Sequence, residues 1–264
     1  MTDATSRRAT RARHDALVEL LRDGVDGVEA LAGRVGVSSS TVRRDLARLQ
    51  REGRIARTYG GALVRDTFTE RSFGESARIH QEAKAAIAEA ALPLVPDGGT
   101  VFLDAGTTCL ALARRLVGRG PLTVVTRGLE AALLLVRSDD VRVVVLGGEV
   151  RPLSHGVVGA LSSLSLERLA FDVAFLGADA VDPSRGIGEP TLEEIHVKEV
   201  AASRASSVVV LADSSKLAPA TLPAWLPLEP TWTLVTGPDA GPASAAGVAR
   251  QRLRESLVAV VVAD

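Results

Sequence analysis

The sequence predicts an α/β body built on a mostly parallel sheet, preceded by a small N-terminal winged helix-turn-helix. Three observations carry this reading. A cationic helix that opens at a serine and runs at once into a Gly-Gly pair lies between residues 38 and 63. Seven short apolar runs recur between residues 100 and 262 with helical patterns between them. Charge also divides the chain: residues 1–66 hold 13 Arg and no Lys against 9 Asp plus Glu, which leaves 18 Lys plus Arg against 23 acidic residues for the rest. A basic head on an acidic body suits a protein with one polyanion-facing end, because phosphate neutralisation drives DNA affinity and repulsion keeps the body away from the duplex.

In the head, Ala16, Leu17, Leu20 and Leu21 form an apolar face on a first helix, and Val28, Leu31, Ala32 and Val35 form one on a short second helix. Gly36-Val37 is the turn. Ser38 then caps a third helix by accepting from the free amides of its first turn, and Val42, Leu46 and Leu49 give that helix a narrow buried stripe. Arg43, Arg44, Arg48 and Arg51 fall within about two and a half turns on the other side, so several guanidiniums reach one groove together. Arg-rich amphipathic helices are commonly just solvated. Here two helices joined by a short Gly-containing turn match the motif that seats its second helix in the major groove of DNA. Arg43 and Arg44 are expected to approach base edges, Ser38, Ser39, Ser40 and Thr41 to lie near bases or phosphate, and Arg48 and Arg57 to contact the backbone. The expected boundaries are residues 1–65 for this domain, 66–76 for a linker within a Gly-, Asp- and Thr-rich stretch, and 77–264 for the body.

The body opens with a long helix whose apolar face is Ala83, Ile87, Ala90, Ala91 and Leu94, stopped by Pro96-Asp97-Gly98-Gly99. Strands are expected at 100–104, 122–126, 141–146, 173–176, 208–212, 233–235 and 257–262, with helices starting near Thr108, Leu129, Val158, Leu192 and Ala243. Runs that are continuously apolar are buried on both faces, which is the mark of a parallel sheet between helices. Residues 219–230 hold four prolines and read as a loop with Trp225 as a packing anchor.

Composition sets outer limits. With 264 residues, 46% apolar and 24% charged, the chain has room for one small and one larger domain. Aromatics amount to 3%, so the cores rest on Ala, Val and Leu. One cysteine, Cys109, excludes an internal disulfide and reads as a packing residue. The four histidines, His14, His80, His155 and His196, lack metal-ligand spacing, so no metal and no cofactor is expected. No apolar run reaches the ~18 residues of a membrane span, and the basic N-terminus lacks an apolar core of the kind that leader peptides carry; no membrane partner and a cytoplasmic location are the expectation.

Ligands of open α/β sheets sit beyond the carboxyl ends of the strands, and those ends are rich in Gly, Thr and Asp here. Asp104-Ala105-Gly106-Thr107-Thr108 follows a strand and opens a helix. A close-packed glycine turn, free helix N–H groups and two hydroxyls make a phosphate its natural guest, while a plain turn with a Thr cap is the simpler alternative. Thr126-Arg127-Gly128, Gly147-Gly148-Glu149, Gly177-Ala178-Asp179 and Asp213-Ser214-Ser215-Lys216 end other strands. Lys216 can serve as a charge partner for a phosphate, while a solvated lysine is the commoner case.

With both halves in view, the chain resembles the DeoR family of bacterial transcriptional repressors over essentially its whole length. Ser38, Thr41-Val42-Arg43-Arg44-Asp45-Leu46 and Gly60-Gly61-Ala62 resemble the family's DNA-binding motif. Residues 104–108, Gly147-Gly148, Gly159, Phe175-Leu176-Gly177 and residues 213–216 resemble its sugar-phosphate sensor. The resemblance implies a ribose-5-phosphate-isomerase-like sensor fold and a homo-oligomeric repressor of carbohydrate-metabolism genes, controlled on operator DNA by a phosphorylated sugar. It also implies that Thr107 and Thr108, with Gly106, hold the phosphate, that Asp104, Gly148 and Asp179 line the sugar with Thr126, Arg127 and Gly147 close by, and that Lys216 lies beside them. The chain departs from the family at Tyr59 (usually His), Arg127 (usually Asn) and Gly237 (usually Asp).

A sugar-phosphate isomerase carrying a DNA-binding domain is the alternative. Isomerisation needs a positioned carboxylate base and a group that stabilises the enediolate. Where such an enzyme has Asp before the Gly and Glu after the Asp of Gly177-Ala178-Asp179, this chain has Leu176 and Ala180, so catalysis is not expected. A third reading makes the body an oligomerisation module with no ligand.

Overall fold

A computed structural model describes residues 13–14, 16–18, 20–21, 25, 27–51, 55–58, 61–64, 70–238, 241–256 and 258–263. The chain divides into two compact units, Met1–Phe68 and Thr69–Asp264.

In the first unit, α1 comprises the helical residues described between 13 and 21, followed by α2 (Val28–Val35) and α3 (Ser39–Arg51). Leu17, Leu31, Val42, Leu46 and Leu49 bury their side chains against one another, as the helical spacing requires. Ala16, placed on the apolar face by sequence, is exposed; Leu20 and Leu21 are only partly covered. Two buried positions beside this face, His14 and Asp45, are polar. Asp45 of α3 accepts from Arg13 Nε at 2.7 Å and faces His14 Nε2 at 3.1 Å, which ties α3 to α1. Beyond α3, β1 (Ile55–Thr58) and β2 (Gly61–Val64) pair antiparallel, with Thr58 opposite Gly61. This is the expected ribbon; its tip, Tyr59-Gly60, lies outside the described residues.

The second unit begins with a one-turn helix α4 (Phe73–Ser76), capped reciprocally by Ser72 and Glu75. The α5 helix (Gln81–Ala91) passes into a 3-10 turn at Leu92–Leu94 because Pro93 cannot continue the ladder. Leu94 is therefore turned outward and does not extend the buried face of Ile87 and Ala91.

Seven parallel strands form the sheet: β3 (Thr100–Leu103), β4 (Leu122–Thr126), β5 (Val141–Val145), β8 (Phe171–Gly177), β11 (Ala205–Leu211), β13 (Thr233–Thr236) and β14 (Ala259–Val262). Their spatial order is β14-β13-β11-β8-β3-β4-β5. Val101, Leu103, Val124, Val173 and Phe175 face one core, with α5, α6 (Thr107–Leu116) and α7 (Leu129–Leu135). Phe102, Val125, Ala174 and Leu176 face the other, with α8 (Ala160–Leu166), α9 (Leu192–Ser203) and α10 (Ala245–Glu255). Burial on both faces is what the continuous apolar runs predict. Cys109, fully buried on α6, packs as expected, and burial pushes its thiol pKa up.

The remaining strands were not legible in the sequence. The pair β6 (Glu149–Val150) and β7 (Val157–Val158) makes a short hairpin. A three-stranded antiparallel sheet joins β9 (Ala180–Asp182), β10 (Gly186–Glu189) and β12 (Ala224–Leu226). Hence the proline-rich stretch is not all loop: Trp225 sits in β12, donates from Nε1 to Leu222 O at 2.9 Å and carries the Arg185 guanidinium over its ring at 4.0 Å. The helices expected at Val158 and Ala243 start at Ala160 and Ala245, because β7 and the Ser244 cap precede them.

Burial pushes the Asp45 pKa up, but the bonds from Arg13 and His14 outweigh it and hold the carboxyl below its ordinary value. The stability that this contributes is present above the ordinary carboxylate range and is lost as pH falls through the lowered value. Asp45→Ala is expected to cost the first unit about 2 kcal/mol at pH 7 and much less near pH 2, read from amide exchange of α2 and α3 in the full chain. An equal cost at both pH values would contradict the assignment.

Candidate functional site

Each unit carries one candidate site. On α3, Thr41 N donates to Ser38 Oγ at 3.2 Å, and the Ser40 and Thr41 hydroxyls lie 2.9 and 2.8 Å from the same oxygen. The serine cap therefore orders the three hydroxyls at the start of the helix. Ser38 and Ser40 are exposed, and Ser39 and Thr41 are half-buried. Arg43, Arg44 and Arg48 are exposed opposite the buried stripe, and Arg43 Nη2 lies 3.5 Å from Glu29 Oε1 on α2. So loose a surface pair is worth little, so Glu29 does not hold Arg43 back from an anion. Arg57 stands on β1, and only its backbone is described.

In the second unit, chain order and spatial order of the main strands diverge between β3 and β8, and crevices of open α/β sheets form at such switch points. A cleft of about 90 Å³ lies there, walled by the loops after β3, β4, β8 and β11 and by residues of the 70–79 segment.

Behind the cleft lies a buried charge cluster centred on Asp104, which is inaccessible to solvent. Its Oδ1 accepts from Ala105 N at 2.8 Å and from Arg127 Nε, and its Oδ2 accepts from Gly177 N at 3.0 Å and from Lys198 Nζ. Lys198 also donates to Gly177 O at 2.9 Å and lies 3.0 Å from Glu189 Oε1. One carboxylate thus ties the ends of β3, β4 and β8 to α9, and Lys198 extends the tie to β10. Burial alone would raise the Asp104 pKa, but Arg127 and Lys198 hold it at about 2. Burial likewise opposes the Lys198 charge, and Asp104 with Glu189 overcomes it and raises that pKa. Burial pushes Glu189 up to about 8; Lys198 pulls it down, and Asp179, Glu194 and Asp104 add to the rise.

The cleft gathers a second set of groups at one end. Gly106, whose φ of 105° lies in the region that favours glycine, caps α6, so that Thr107 and Thr108 present hydroxyls and free amides on the wall. Lys216 donates to Asp179 Oδ1 at 2.9 Å, and both line the cleft. Lys84, buried on α5, donates to the Ser76 and Ile79 carbonyls at 2.6 and 2.9 Å. Burial lowers its pKa, Asp213 raises it, and Lys216 and Arg71 lower it further. Three cations, Lys84, Lys216 and Arg71, thus converge by the N-terminus of α6, an arrangement suited to an anion.

At the other end, Glu194 accepts from Thr191 Oγ1 at 2.9 Å and Ser154 Oγ at 3.2 Å. Arg127 Nη1 and Arg151 Nε each lie 3.9 Å from it, and neither nitrogen has a hydrogen-bond partner among the described residues.

Gly106, Thr107, Thr108, Arg127, Asp179 and Lys216 are brought together on the wall. Four residues expected at the ligand are placed elsewhere. Asp104 is enclosed behind the wall by its cations. Thr126 is fully buried, its Oγ1 accepting from Gly128 N at 2.9 Å. Gly147 and Gly148 serve the packing of the hairpin on α8: Ser162 Oγ donates to Gly147 O at 2.8 Å, and a Cβ on Gly148 would meet Val158 O at 2.2 Å. Sequence reasoning missed Lys84, Glu70, Ser154, Glu194 and Lys198. Only Glu194 had a local signal, the Thr191-x-x-Glu capping pattern at a helix start.

Two family models match the chain: the DeoR-like helix-turn-helix domain over residues 13–68 and the DeoR C terminal sensor domain over residues 79–238. The HTH-type transcriptional regulator GlpR of Haloferax volcanii is 37% identical over 78% of this chain and 81% of its own length. The putative aga operon transcriptional repressor of Escherichia coli O157:H7 is 33% identical over 81% and 82%, and the glycerol-3-phosphate regulon repressor of Escherichia coli K12 is 29% identical over 77% and 81%. Ribose 5-phosphate isomerase A from Neisseria gonorrhoeae aligns over 50% of this chain and 52% of that chain at 23% identity and a TM-score of 0.37, too partial a likeness to carry topology. Among the described residues no helix is long and apolar enough to cross a membrane.

Because Arg43 and Arg44 are exposed and outside the core, Arg43→Ala and Arg44→Ala are expected to leave far-UV circular dichroism unchanged. Each should weaken specific DNA binding by ~1–3 kcal/mol in mobility-shift titrations. Wild-type affinity in both would contradict the docking of α3.

Proposed function

The chain belongs to the DeoR family of transcriptional regulators, and we propose that its second unit senses a phosphorylated sugar that sets the affinity of the first unit for operator DNA. The reading rests above all on the anion-suited end of the cleft, where Lys84 and Lys216 face the capped start of α6. The phosphate occupies Gly106, Thr107 and Thr108, whose amides and hydroxyls donate to it, with the two ammonium groups supplying charge. The sugar hydroxyls extend toward Asp179, Ser154 and Arg127. Relatives named for a glycerol-3-phosphate regulon and for a lactose phosphotransferase system support the same ligand class.

Asp104 acts through Arg127 and Lys198 and is a positioning residue. The effector changes operator affinity only through unequal binding to two arrangements of the protein. A homo-oligomer with paired α3 helices fits the symmetric half-sites that such helices read, and the protein works in the cytoplasm, where the operator is. No cofactor takes part.

The isomerase alternative falls with membership of a family of regulators. The ligand-free oligomerisation alternative remains open to test. Calorimetry with ribose 5-phosphate, glycerol 3-phosphate and inorganic phosphate is expected to give heat from at least one; silence from all would overturn the reading. In Thr107→Val with Thr108→Val that heat should fall by roughly 10- to 100-fold in affinity while operator binding is kept. An unchanged response would remove both threonines from the site.

A further inference from the structure

The second unit begins at Thr69, and its first described residues form one wall of the cleft: Glu70, Arg71, Phe73, Ser76 and Ile79 all line it. The other walls are loops anchored at the ends of sheet strands. This one is a single helical turn, α4, with irregular chain before it, turns and bends over 77–80 after it, and no strand pairing. The cleft encloses about 90 Å³, less than the ~150 Å³ cavity that holds one benzene, so a sugar phosphate is only partly enclosed there unless a wall moves. Between described residues, a single backbone hydrogen bond, Phe73 N to Leu153 O, ties the 70–79 segment to another part of the unit.

Among the described residues, Phe73 packs against the core beside α5 and α6, and the polar fastenings of the segment include several from residues beside the cleft. Phe73 N donates to Leu153 O at 2.6 Å, and the Phe73 ring stacks on His155 with centroids 5.3 Å apart. Glu70 Oε2 lies 3.6 Å from Arg151 Nη2, and the same guanidinium reaches toward Glu194 inside the site. Lys84 holds the two carbonyls of Ser76 and Ile79. At the far end His80 adopts φ 52°, a conformation that a non-glycine residue rarely holds, where the segment turns into α5.

An ammonium has three donors. Two of those on Lys84 are spent on the segment's carbonyls, and Lys84 lines the cleft, which leaves one for a bound anion.

We propose that residues 70–80 form a strap that opens to admit the ligand and is pinned shut by its phosphate through Lys84, and that this strap carries occupancy of the cleft into the linker. The inference rests on the sugar-phosphate reading above. Phosphate at the start of α6 takes the third Lys84 donor, so the same ammonium bridges ligand and strap. Covalent continuity does the rest, since the strap is the first part of this unit after residues 66–69. Lys84 is in this sense both a ligand-contacting and a positioning residue.

The test is amide hydrogen exchange by mass spectrometry on the full chain, with and without inorganic phosphate and glycerol 3-phosphate at concentrations that saturate the calorimetric heat. Exchange over 70–80 is expected to slow by at least ~5-fold, with β3 and β8 unchanged. In Lys84→Met the same stretch should exchange faster and lose its response to phosphate; a Lys84 that served only the fold would raise exchange and leave the response. His155→Asn, outside the cleft wall and tolerant of the left-handed backbone at φ 53°, removes the stack on Phe73 together with the imidazole contact to Glu130. It should keep operator affinity in the absence of sugar phosphate and reduce the effect of glycerol 3-phosphate on that affinity by at least ~3-fold. Heat with unchanged exchange over 70–80 overturns the strap and leaves the sensor reading standing. Absence of heat from every probe overturns both.

Discussion

The second unit depends on one buried carboxylate. Asp104 stands at the end of β3, where the sheet's strand order reverses, and its two oxygens take four donors from four parts of the chain. A lone carboxylate in that position would be neutral; with Arg127 and Lys198 against it, its pKa is held at about 2. Removing one partner from such a group commonly costs ~3–5 kcal/mol, because the charges left behind have neither water nor counter-ion. The same cluster fixes Arg127, and through Lys198 it fixes β10, so the shape of the cleft follows from an ion cluster that the ligand need not touch. Buried charge here serves arrangement rather than net stability, since apolar replacements of whole clusters often stabilise.

The first unit repeats the device on a smaller scale. Asp45 on the inner face of α3 joins Arg13 and His14 of α1, which sets the rotation of α3 and so decides that Arg43, Arg44 and Arg48 face outward. In both units an acid and its cations position the surface proposed to meet a phosphate, that of DNA in one and that of the effector in the other.

Much of this was legible in sequence because it is local. Helical spacing marks Val42, Leu46 and Leu49, continuous apolar runs mark the parallel strands, and Gly-Thr-Thr after a strand marks the start of α6. What was not legible is long-range. Lys198 and Asp104 are 94 residues apart, and on α9 alone a lysine reads as solvated. Lys84 reads the same way on α5, although its ammonium is enclosed by carbonyls eight and five residues back. Asp104 could be read as a strand-end acid, but not as one enclosed by two cations, and so it was assigned to the ligand. Gly147 and Gly148 looked like a ligand cradle because nothing local tells a glycine spared for a sugar from one spared for a hairpin packed on a helix. The strands β9, β10 and β12 are three or four residues long, too short for periodicity to register, although Val181, Ile187, Ala224 and Leu226 pack into the core.

The central claim, that the Asp104 cluster holds the sensor cleft in its working shape, is tested most directly by a double-mutant cycle between Asp104→Leu and Lys198→Met in the full chain, read by unfolding and by phosphate calorimetry. The account predicts that each single change is costly and that the pair together costs less than the sum by at least ~1 kcal/mol, with the heat of phosphate binding lost in both singles. Additive costs, or single variants that bind phosphate as the unchanged protein does, would contradict it.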